Sequence, residues 1–232
     1  MKKLDHETQV GELVSERPSL SRVMERYGID YCCGGHLSLA SACQLKKLNV
    51  ESVLAEIARA MDGPPERNLE SLSLVELVDH IVSLHHGFLR DTLPVLSRQL
   101  DRVVTVHGPR HPELAKTQNV FRIFAAEMYQ HMDKEEQILF PLICRIEANA
   151  NDESACSLSQ IIQVMESEHE GAGNDLASMR DLTHGYAVPE GACGTYRAVL
   201  QGLADLEEDT HLHVHSENHV LFPKALQRLA HA

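Results

Sequence analysis

One eleven-residue pattern occurs twice in this chain, as HMDKEEQILFP at 131–141 and as HVHSENHVLFP at 213–223. In both copies a histidine precedes a glutamate by four residues, and Leu-Phe-Pro follows at a fixed distance. Residues i and i+4 lie above one another on a helix, so each copy presents an imidazole and a carboxylate to the same side. The repeat therefore predicts two helices facing a shared site, where two metal ions each take a histidine and are bridged by two glutamates. The matched residues are His131, Glu135, His213 and Glu217.

Two simpler explanations of the repeat compete with a metal site. A single His-x-x-x-Glu on a helix is usually a solvated ion pair. A structural repeat without metal would account for the Leu-Phe-Pro sequences. Neither explains why histidine and glutamate recur together with Leu-Phe-Pro at the same spacing, so a metal site is the favoured interpretation.

The composition indicates a helical protein. A length of 232 residues suffices for one large domain, or for an ordinary domain and a small one. Aromatic residues make up only 4% of the chain, so aliphatic side chains must fill the core. Apolar positions recur at helical spacing without a convincing alternating strand pattern, and we therefore predict an all-α fold.

The charge balance and the cysteine content narrow the partners and the compartment. A formal net charge of −13 disfavours nucleic acid and favours metal cations or a basic patch on a partner protein. There is no run of 18 or more apolar residues to predict a membrane span, and the charged start MKKLDHETQV does not resemble a secretory signal. Six cysteines do not make a disulfide framework in a chain of this length. We expect a cytoplasmic protein with no nucleic-acid or membrane partner.

Proline and glycine divide the chain into a small module and a main domain. The segment MDGPPERN at 61–68 forbids a continuous helix, and we predict that it links an N-terminal module (1–62) to a main domain (69–232). Short breakers divide the main domain into four helical stretches, which predicts an up-down-up-down four-helix bundle. The first stretch starts near Ser71, and the second runs from near Pro112 to Glu147. The third runs from about Ser157 to Thr183, and the fourth from Pro189 to Leu229. Pro141 and Pro223 are expected to kink or restart their helices.

Two further histidines complete the predicted metal site. The first helical stretch offers His80, His85 and His86. His86 shares the inward apolar face, whereas His85 is turned about 100° away and is the weaker candidate. The third stretch offers His169.

Four imidazoles and two carboxylates without cysteine suit iron better than structural zinc, although manganese would use the same donors. His215 and His219 fall off the face of His213 and Glu217, and we expect them at the surface or behind the ligands. Glu127 and Glu168 are expected to be exposed, with a role in a proton or metal path as the alternative.

The N-terminal module carries an unusual cysteine sequence, RYGIDYCCGGHLSLASAC. Cys32 and Cys33 are adjacent and precede two glycines, which suit a turn with positive φ and close approach to the thiols. A helix beginning near Ser38 would place its positive end by the cysteines and lower their pKa. We predict a thiol pair for redox exchange or for transfer of iron or NO; the alternative is small buried side chains beside a tight turn. No pairing is expected for Cys144, Cys156 and Cys193.

In combination, DYCCGG, HMDKEEQILFP, VMESEHEGAG and ENHVLFP resemble the repair-of-iron-centres family, also called the YtfE/ScdA family. The resemblance covers almost the whole chain. It implies a ScdA-type N-terminal domain, a hemerythrin-like bundle with a non-haem di-iron centre, and repair of iron–sulfur clusters damaged by nitric oxide or peroxide. The ligands that it implies are His86, His131, Glu135, His169, His213 and Glu217, with Cys32 and Cys33 as the cysteine pair.

Three functions are compatible with these residues. The leading hypothesis is a stress-response protein that donates iron to damaged or apo iron–sulfur proteins and also reacts with NO. The second is an enzyme that reduces NO to N2O at the di-iron centre. The third is a sensor or carrier of NO or O2 of the hemerythrin type, which would not need the cysteine module. The sequence leaves open whether the chain is a monomer or a dimer.

Overall fold

The computed structural model of the chain describes residues 4–63, 68–149 and 157–230. These residues are mostly helical, and the β-structure described among them is a single antiparallel bridge between Gln9 and Ser38. The predicted all-α class is confirmed. Residues 64–67 of the predicted linker, and Cys156, lie outside the described residues. No helix within the described ranges is long and apolar enough to cross a membrane.

Four helices form the N-terminal part: α1 (Val10–Glu16), α2 (Ser21–Tyr27), α3 (Leu39–Leu45) and α4 (Val50–Met61). Their ends follow local rules. Gly28 ends α2 with a φ of 62°, while the side chains of Ser38 and Asn49 accept hydrogen bonds from backbone amides at the starts of α3 and α4. The helix expected near Ser38 is therefore present. The four helices enclose a core that includes Val14, Met24, Leu39, Val53 and Ile57.

The remaining helices are long and three of them contain a π-helical turn. The first is α5 (Leu74–Ile81), π1 (Val82–His86) and α6 (Gly87–His107). The second is α7 (Glu113–Lys134), π2 (Glu135–Leu139) and α8 (Phe140–Ala148). The third is α9 (Leu158–Leu182), and the fourth is α10 (Gly194–His215), π3 (Ser216–Leu221) and α11 (Phe222–Ala230). These bounds agree with the four predicted stretches to within a few residues.

Two of the three π turns, π2 and π3, coincide with the restarts expected at Pro141 and Pro223. Each proline is the second residue of the α-helix that follows a π turn. Proline lacks the N–H that an α-helix needs, so the hydrogen-bond ladder must change close to it. Single π turns inside α-helices are rare and occur frequently at functional sites. The sequence predicted an irregularity here but not its form.

The chain divides into two compact units, and the boundaries fall within helices. The first, which we call the bundle unit, comprises the described residues of 80–141 and 160–210. Here α6, α7, α9 and α10 pack around one hydrophobic core, as a four-helix bundle requires. The core includes Leu93, Leu100, Phe121, Phe124, Leu176, Met179, Val199 and Leu203.

The second, which we call the N-terminal unit, comprises the described residues of 1–79, 142–159 and 211–230. Two side chains tie its segments together. The carboxylate of Glu147 accepts hydrogen bonds from the backbone amides of Leu74 and Val75, both at 2.9 Å, and so caps the start of α5. The ammonium group of Lys224 donates to the carbonyls of Glu70 and Leu72.

Candidate metal centre

Four of the predicted ligands meet in the bundle unit. Nε2 of His86 lies 3.2 Å from one oxygen of Glu135, and Nε2 of His131 lies 3.1 Å from the other. Nε2 of His169 lies 3.1 Å from Nε2 of His131. All four side chains are buried, with exposures between 0% and 3%. A carboxylate with an imidazole at each oxygen, and a third imidazole beside it, forms a set of converging donors.

The π turns position these residues. His86 is the last residue of π1, Glu135 is the first of π2, and His131 lies one turn earlier in α7. His169 lies within α9, whose described residues carry no π turn. Thus two of the four donors stand where the helix departs from regular α geometry.

Carboxylates outside this group orient two of the imidazoles. Nδ1 of His86 donates to Oε1 of Glu136 at 2.7 Å, and Arg90 lies 2.8 Å from the same oxygen. Nδ1 of His131 donates to Oε2 of Glu168 at 2.9 Å, and Lys134 pairs with Glu168. A hydrogen bond at Nδ1 fixes the tautomer and leaves Nε2 as the donor to a metal.

Both orienting carboxylates are held in the ionised form. Partial burial alone would raise the pKa of Glu136, but hydrogen bonds from Arg90 and His86 lower it below its usual value. Burial would likewise raise the pKa of Glu168, but hydrogen bonds from Lys134 and His131 lower it below its usual value. Glu168 is therefore not the exposed residue that was expected, because its partners come from another helix.

The remaining two predicted ligands lie in the N-terminal unit. Nε2 of His213 and Oε1 of Glu217 are 3.3 Å apart, and both side chains are fully buried. The pair spans the point where α10 passes into π3. This reproduces the arrangement of His131 and Glu135, at 3.1 Å, where α7 passes into π2. Both copies of the repeat thus form the same local structure.

His85 is buried but belongs to a different contact. Its Nδ1 lies 2.9 Å from Oδ1 of Asp209, and its ring makes an edge contact with His80. His86 therefore lies against Glu135, while His85 pairs with α10. This places the two histidines on the faces that the helical register predicts.

The donors fit a divalent cation. Within the bundle unit, ligand atoms of His131, Glu135 and His169 lie within 4.8 Å of one another, as do those of His86 and Glu135. In the N-terminal unit, those of His213 and Glu217 do so too. Imidazoles and carboxylates suit borderline metal ions such as iron, manganese or zinc. Buried His/Glu groups of this kind can hold a metal.

A cavity of about 360 Å³ opens beside two of these imidazoles. Its lining comes from α7 and α9 and includes His131, His169, Glu168, Lys134, Met128 and Phe124. The cavity, which is lined by both polar and apolar side chains, gives a small molecule access to the imidazoles of His131 and His169. Glu127 lies in the same wall.

The cysteine turn lies in the N-terminal unit and is organised by Asp30. Oδ1 of Asp30 accepts hydrogen bonds from the amides of Cys32 and Cys33, at 3.0 and 2.9 Å, and from the Cys32 thiol at 3.3 Å. Both cysteines are free thiols with their sulfur atoms 3.9 Å apart. These contacts are local, because Asp30 lies only two and three residues before the cysteines in the sequence D-Y-C-C.

Two expectations about this turn are wrong. Gly34 and Gly35 do not have positive φ; the described glycines that do are Gly28, Gly185 and Gly191. Glycine is needed at position 35 because a Cβ there would come within 3.0 Å of the His219 ring and of the Tyr31 carbonyl. The close approach is therefore to the glycine rather than to the thiols.

The pKa of Cys32 is raised well above its usual value instead of lowered. Its hydrogen bond with Cys33, its burial and the charge of Asp30 all favour the neutral thiol. The start of α3 does not reverse these effects. Burial alone would raise the pKa of Asp30, but the amide and thiol hydrogen bonds that it accepts lower the pKa below its usual value. Asp30 therefore stays ionised.

His215 and His219 are not surface residues. Nδ1 of His215 donates to the carbonyl of Tyr31 at 3.1 Å, and Nε2 of His219 donates to that of Cys32 at 2.8 Å. Burial, aided by the nearby His219, lowers the pKa of His215 to about 3, so its ring is neutral. The spacing of His211, His215 and His219 is four residues, which was the available signal for a shared face.

The other described cysteines make no disulfide. Cys43 is buried in the core of the N-terminal unit, and burial raises its pKa. Cys144 is half-buried. Cys193 is exposed, with its sulfur 3.2 Å from Nε2 of His107.

Two family models match the chain. Residues 6–61 match the ScdA_N family model, which is described as a domain of unknown function, and residues 77–225 match the hemerythrin HHE cation binding domain. The iron-sulfur cluster repair protein ScdA of Staphylococcus haemolyticus is 36% identical over 222 residues, which is 95% of this chain and 99% of that protein. The iron-sulfur cluster repair protein YtfE of Escherichia coli is 36% identical over 217 residues, or 94% and 96% of the two chains.

Proposed function

The chain belongs to the family of iron–sulfur cluster repair proteins that includes ScdA and YtfE, and on that premise we propose that it restores damaged clusters by donating iron. The iron would come from a non-haem centre of two iron ions bridged by carboxylates. The recipients would be iron–sulfur proteins whose clusters have been damaged by nitrosative or oxidative stress. The observation that carries this proposal is the buried set of imidazoles around Glu135.

We propose six ligands for the two ions. Four are those that converge in the bundle unit, and their mutual distances and burial support the assignment. The other two are assigned because they repeat the sequence and the local geometry of His131 and Glu135. Two bridging glutamates would offset much of the charge of two divalent ions, as burial requires. The proposed ligands are His86, His131, Glu135, His169, His213 and Glu217.

The chain's own groups prepare the site in three ways. Glu136 and Glu168 hold imidazoles with Nε2 available. Arg90 and Lys134 keep those two carboxylates ionised. The cavity beside His131 and His169 admits a small ligand such as NO or O2. When bound, iron supplies Lewis acidity and redox chemistry at this buried position.

An iron-transfer assay tests the proposal. Iron-loaded protein is mixed anaerobically with an apo iron–sulfur protein and sulfide, and cluster formation is followed by absorbance. We expect faster and more complete reconstitution than with the same amount of free iron. His86→Gln should lose iron and transfer, while His85→Gln, which alters the neighbouring contact with Asp209, should retain both. Equal reconstitution by free iron would exclude the donor role.

Metal analysis with Mössbauer spectroscopy tests the centre itself. We expect two iron ions per chain in protein made in iron-replete cells. A mononuclear or zinc-only result would overturn the proposed centre. Manganese would keep the ligands but change the chemistry.

Reduction of NO is the second candidate function, favoured by the cavity that reaches the histidine side of the site. Reduced protein is exposed to NO without oxygen in the presence of an excess of a chemical reductant, which supplies the two electrons that each N2O requires, and N2O is measured against a control without protein. Turnover beyond one equivalent per centre identifies an enzyme, whereas uptake that stops at stoichiometry identifies a trap or carrier. A carrier should also be indifferent to replacing Cys32 and Cys33 by serine.

We also propose a cytoplasmic location, because a reducing compartment keeps thiols such as Cys32 and Cys33 reduced. The chain is proposed to act as a monomer or a dimer. Sedimentation analysis of the iron-loaded protein distinguishes the two.

A further inference from the structure

The cysteine turn is attached to the helix turn that carries Glu217. The carbonyl of Cys32 accepts a hydrogen bond from Nε2 of His219 at 2.8 Å and a longer one from the amide of Asn218 at 3.5 Å. Both donors belong to π3, as does Glu217. All of these residues lie in the N-terminal unit. The thiol pair and a proposed metal ligand are therefore held by neighbouring residues of one helical turn.

The ring of His219 also fits against two glycines. A Cβ on Gly35 would fall within 3.0 Å of Nε2 of His219, and one on Gly11 would lie 2.9 Å from its Nδ1. The two glycines are joined by a backbone hydrogen bond of 2.9 Å. The second glycine of Cys-Cys-Gly-Gly thus makes room for the His219 ring.

His215 extends the attachment by one helical turn. Its Nδ1 donates to the carbonyl of Tyr31 at 3.1 Å, and its ring stacks on that of His219 with centroids 5.2 Å apart. Consecutive carbonyls, those of Tyr31 and Cys32, thereby accept from histidines four residues apart. The amides of Cys32 and Cys33 are bound by Asp30 on the other side. Both edges of the cysteine turn are fixed.

We propose that His219 is a positioning residue that holds the Cys32–Cys33 thiols in register with the helix turn of Glu217. It acts through its Nε2–H donor and through the shape of its ring between Gly11 and Gly35. The consequence of this positioning for cluster repair rests on the proposed function, because the positioning affects repair only if the two thiols take part in it. The positioning itself is measurable without any repair activity.

The test is the rate at which Cys32 is alkylated in the full-length, iron-loaded protein, followed residue by residue with peptide mass spectrometry. His219→Phe keeps a ring but removes the donor, and His219→Gln keeps an amide donor. Because Cys32 is only 6% exposed, its alkylation requires the turn to open. Loss of the hydrogen bond should raise the Cys32 rate about fivefold in His219→Phe, and His219→Gln should return it to within about twofold of the unaltered protein.

His211→Gln is the matched control. His211 lies on the same helix; its Nδ1 is 2.5 Å from Glu25 and its ring meets the Tyr31 ring edge-on, with centroids 6.2 Å apart. The hydrogen bonds described for the Cys32 backbone are instead made with Asp30, Asn218 and His219. We expect the Cys32 rate to stay within about twofold of the starting value, since the loss of one side-chain contact elsewhere leaves the turn bonded. The exposed Cys193 serves as an internal reference whose rate should be equal in all variants.

A purely structural role would give a different result. It would lower the melting temperature in His219→Phe and His211→Gln alike and raise the rates of Cys32 and Cys43 together. An unchanged Cys32 rate in folded His219→Phe, or no recovery in His219→Gln, also overturns the proposal. Gly11→Ala crowds the same ring from α1 and gives a second measurement, with a faster Cys32 rate expected.

Iron transfer by the same variants separates the two proposals. A faster Cys32 rate without loss of transfer would support the positioning role and show that iron transfer does not depend on that positioning. An unchanged rate would overturn the positioning role and leave iron donation standing.

Discussion

His86 donates a hydrogen bond from Nδ1 to Oε1 of Glu136 at 2.7 Å, although Glu136 is the chain neighbour of the proposed ligand Glu135. Glu135 approaches the other nitrogen of the same imidazole, with its oxygen 3.2 Å from Nε2. The two nitrogens of one imidazole ring thus contact two consecutive carboxylates. Glu135 and Glu136 are the first two residues of π2, where the chain departs from α-helical spacing.

Replacing Glu136 tests whether this contact prepares His86 for a metal. Glu136→Gln removes the charge that favours Nδ1–H, and outer carboxylates of this kind typically contribute about tenfold or more to metal affinity. We expect a loss of about that size in a competition titration with a chelator. Asp133→Asn, which removes an exposed carboxylate from the same helix, is the control and should leave the affinity unchanged. Equal affinities for the two variants would show that Glu136 has no such role.

The cap formed by Glu147 gives a prediction about stability. Its two oxygens accept from the amides of Leu74 and Val75 at the start of α5, and these amides have no partner within the helix. Glu147→Ala should lower the free energy of unfolding by about 1 kcal/mol, as the loss of a helix cap generally does. Thermal unfolding measures it. Glu166→Ala, at an exposed site within α9, should have a smaller effect, and a similar loss in both would contradict the cap.

The features that the sequence predicted depend on local periodicity. The two copies of His-x-x-x-Glu place donors on one helix face by geometry alone, and both pairs are 3.1–3.3 Å apart in the structure. The choice of His86 over His85 follows from the same rule, because the apolar residues around them mark the inward face. The four helical stretches were bounded by proline and glycine, whose effects on the backbone are equally local.

The features that the sequence did not predict depend on contacts between distant residues. Glu168 pairs with His131, which is 37 positions away, and His219 meets Cys32 across 187 positions. The pKa of Cys32 is raised first by its hydrogen bond with Cys33, then by burial and by the charge of Asp30, and of these only burial depends on distant parts of the chain. The prolines predicted an irregularity near π2 and π3 but not its π-helical form, and π1, which has no proline beside it, was not predicted.

Two glycines within helices should respond to alanine with opposite signs. A Cβ on Gly173 in α9 would meet no atom within 4 Å, whereas one on Gly202 in α10 would come within 3.0 Å of the buried side chain of Leu96. Gly173→Ala should stabilise the protein by about 0.5–1 kcal/mol, because alanine loses less backbone entropy in a helix. Gly202→Ala should destabilise it by about 1–3 kcal/mol, since the core must shift to accept the methyl group. Thermal unfolding of both variants decides, and a shared sign would contradict the packing of α10 on α6.

The raised pKa of Cys32 gives a prediction about pH. Only the thiolate reacts with an alkylating reagent, and the raised pKa means that the thiolate of Cys32 forms above the usual range of a cysteine, whose reference value is 9.0. The Cys32 alkylation rate should therefore keep increasing with pH beyond 9, without a plateau there. Asp30→Asn removes a charge that favours the neutral thiol, so the midpoint of its profile should move to lower pH.

The midpoint, rather than the absolute rate, is the quantity to compare, because Asp30→Asn also loosens the turn and accelerates the reaction at every pH. Ser38→Ala alters the cap of the neighbouring α3 without removing a charge, and it should leave the midpoint in place. A Cys32 profile that levels off near neutral pH would mean that the start of α3 outweighs Asp30 and burial. In that case Cys32 would be a thiolate poised to bind iron, and the hydrogen bond from its thiol to Asp30 would be absent in solution.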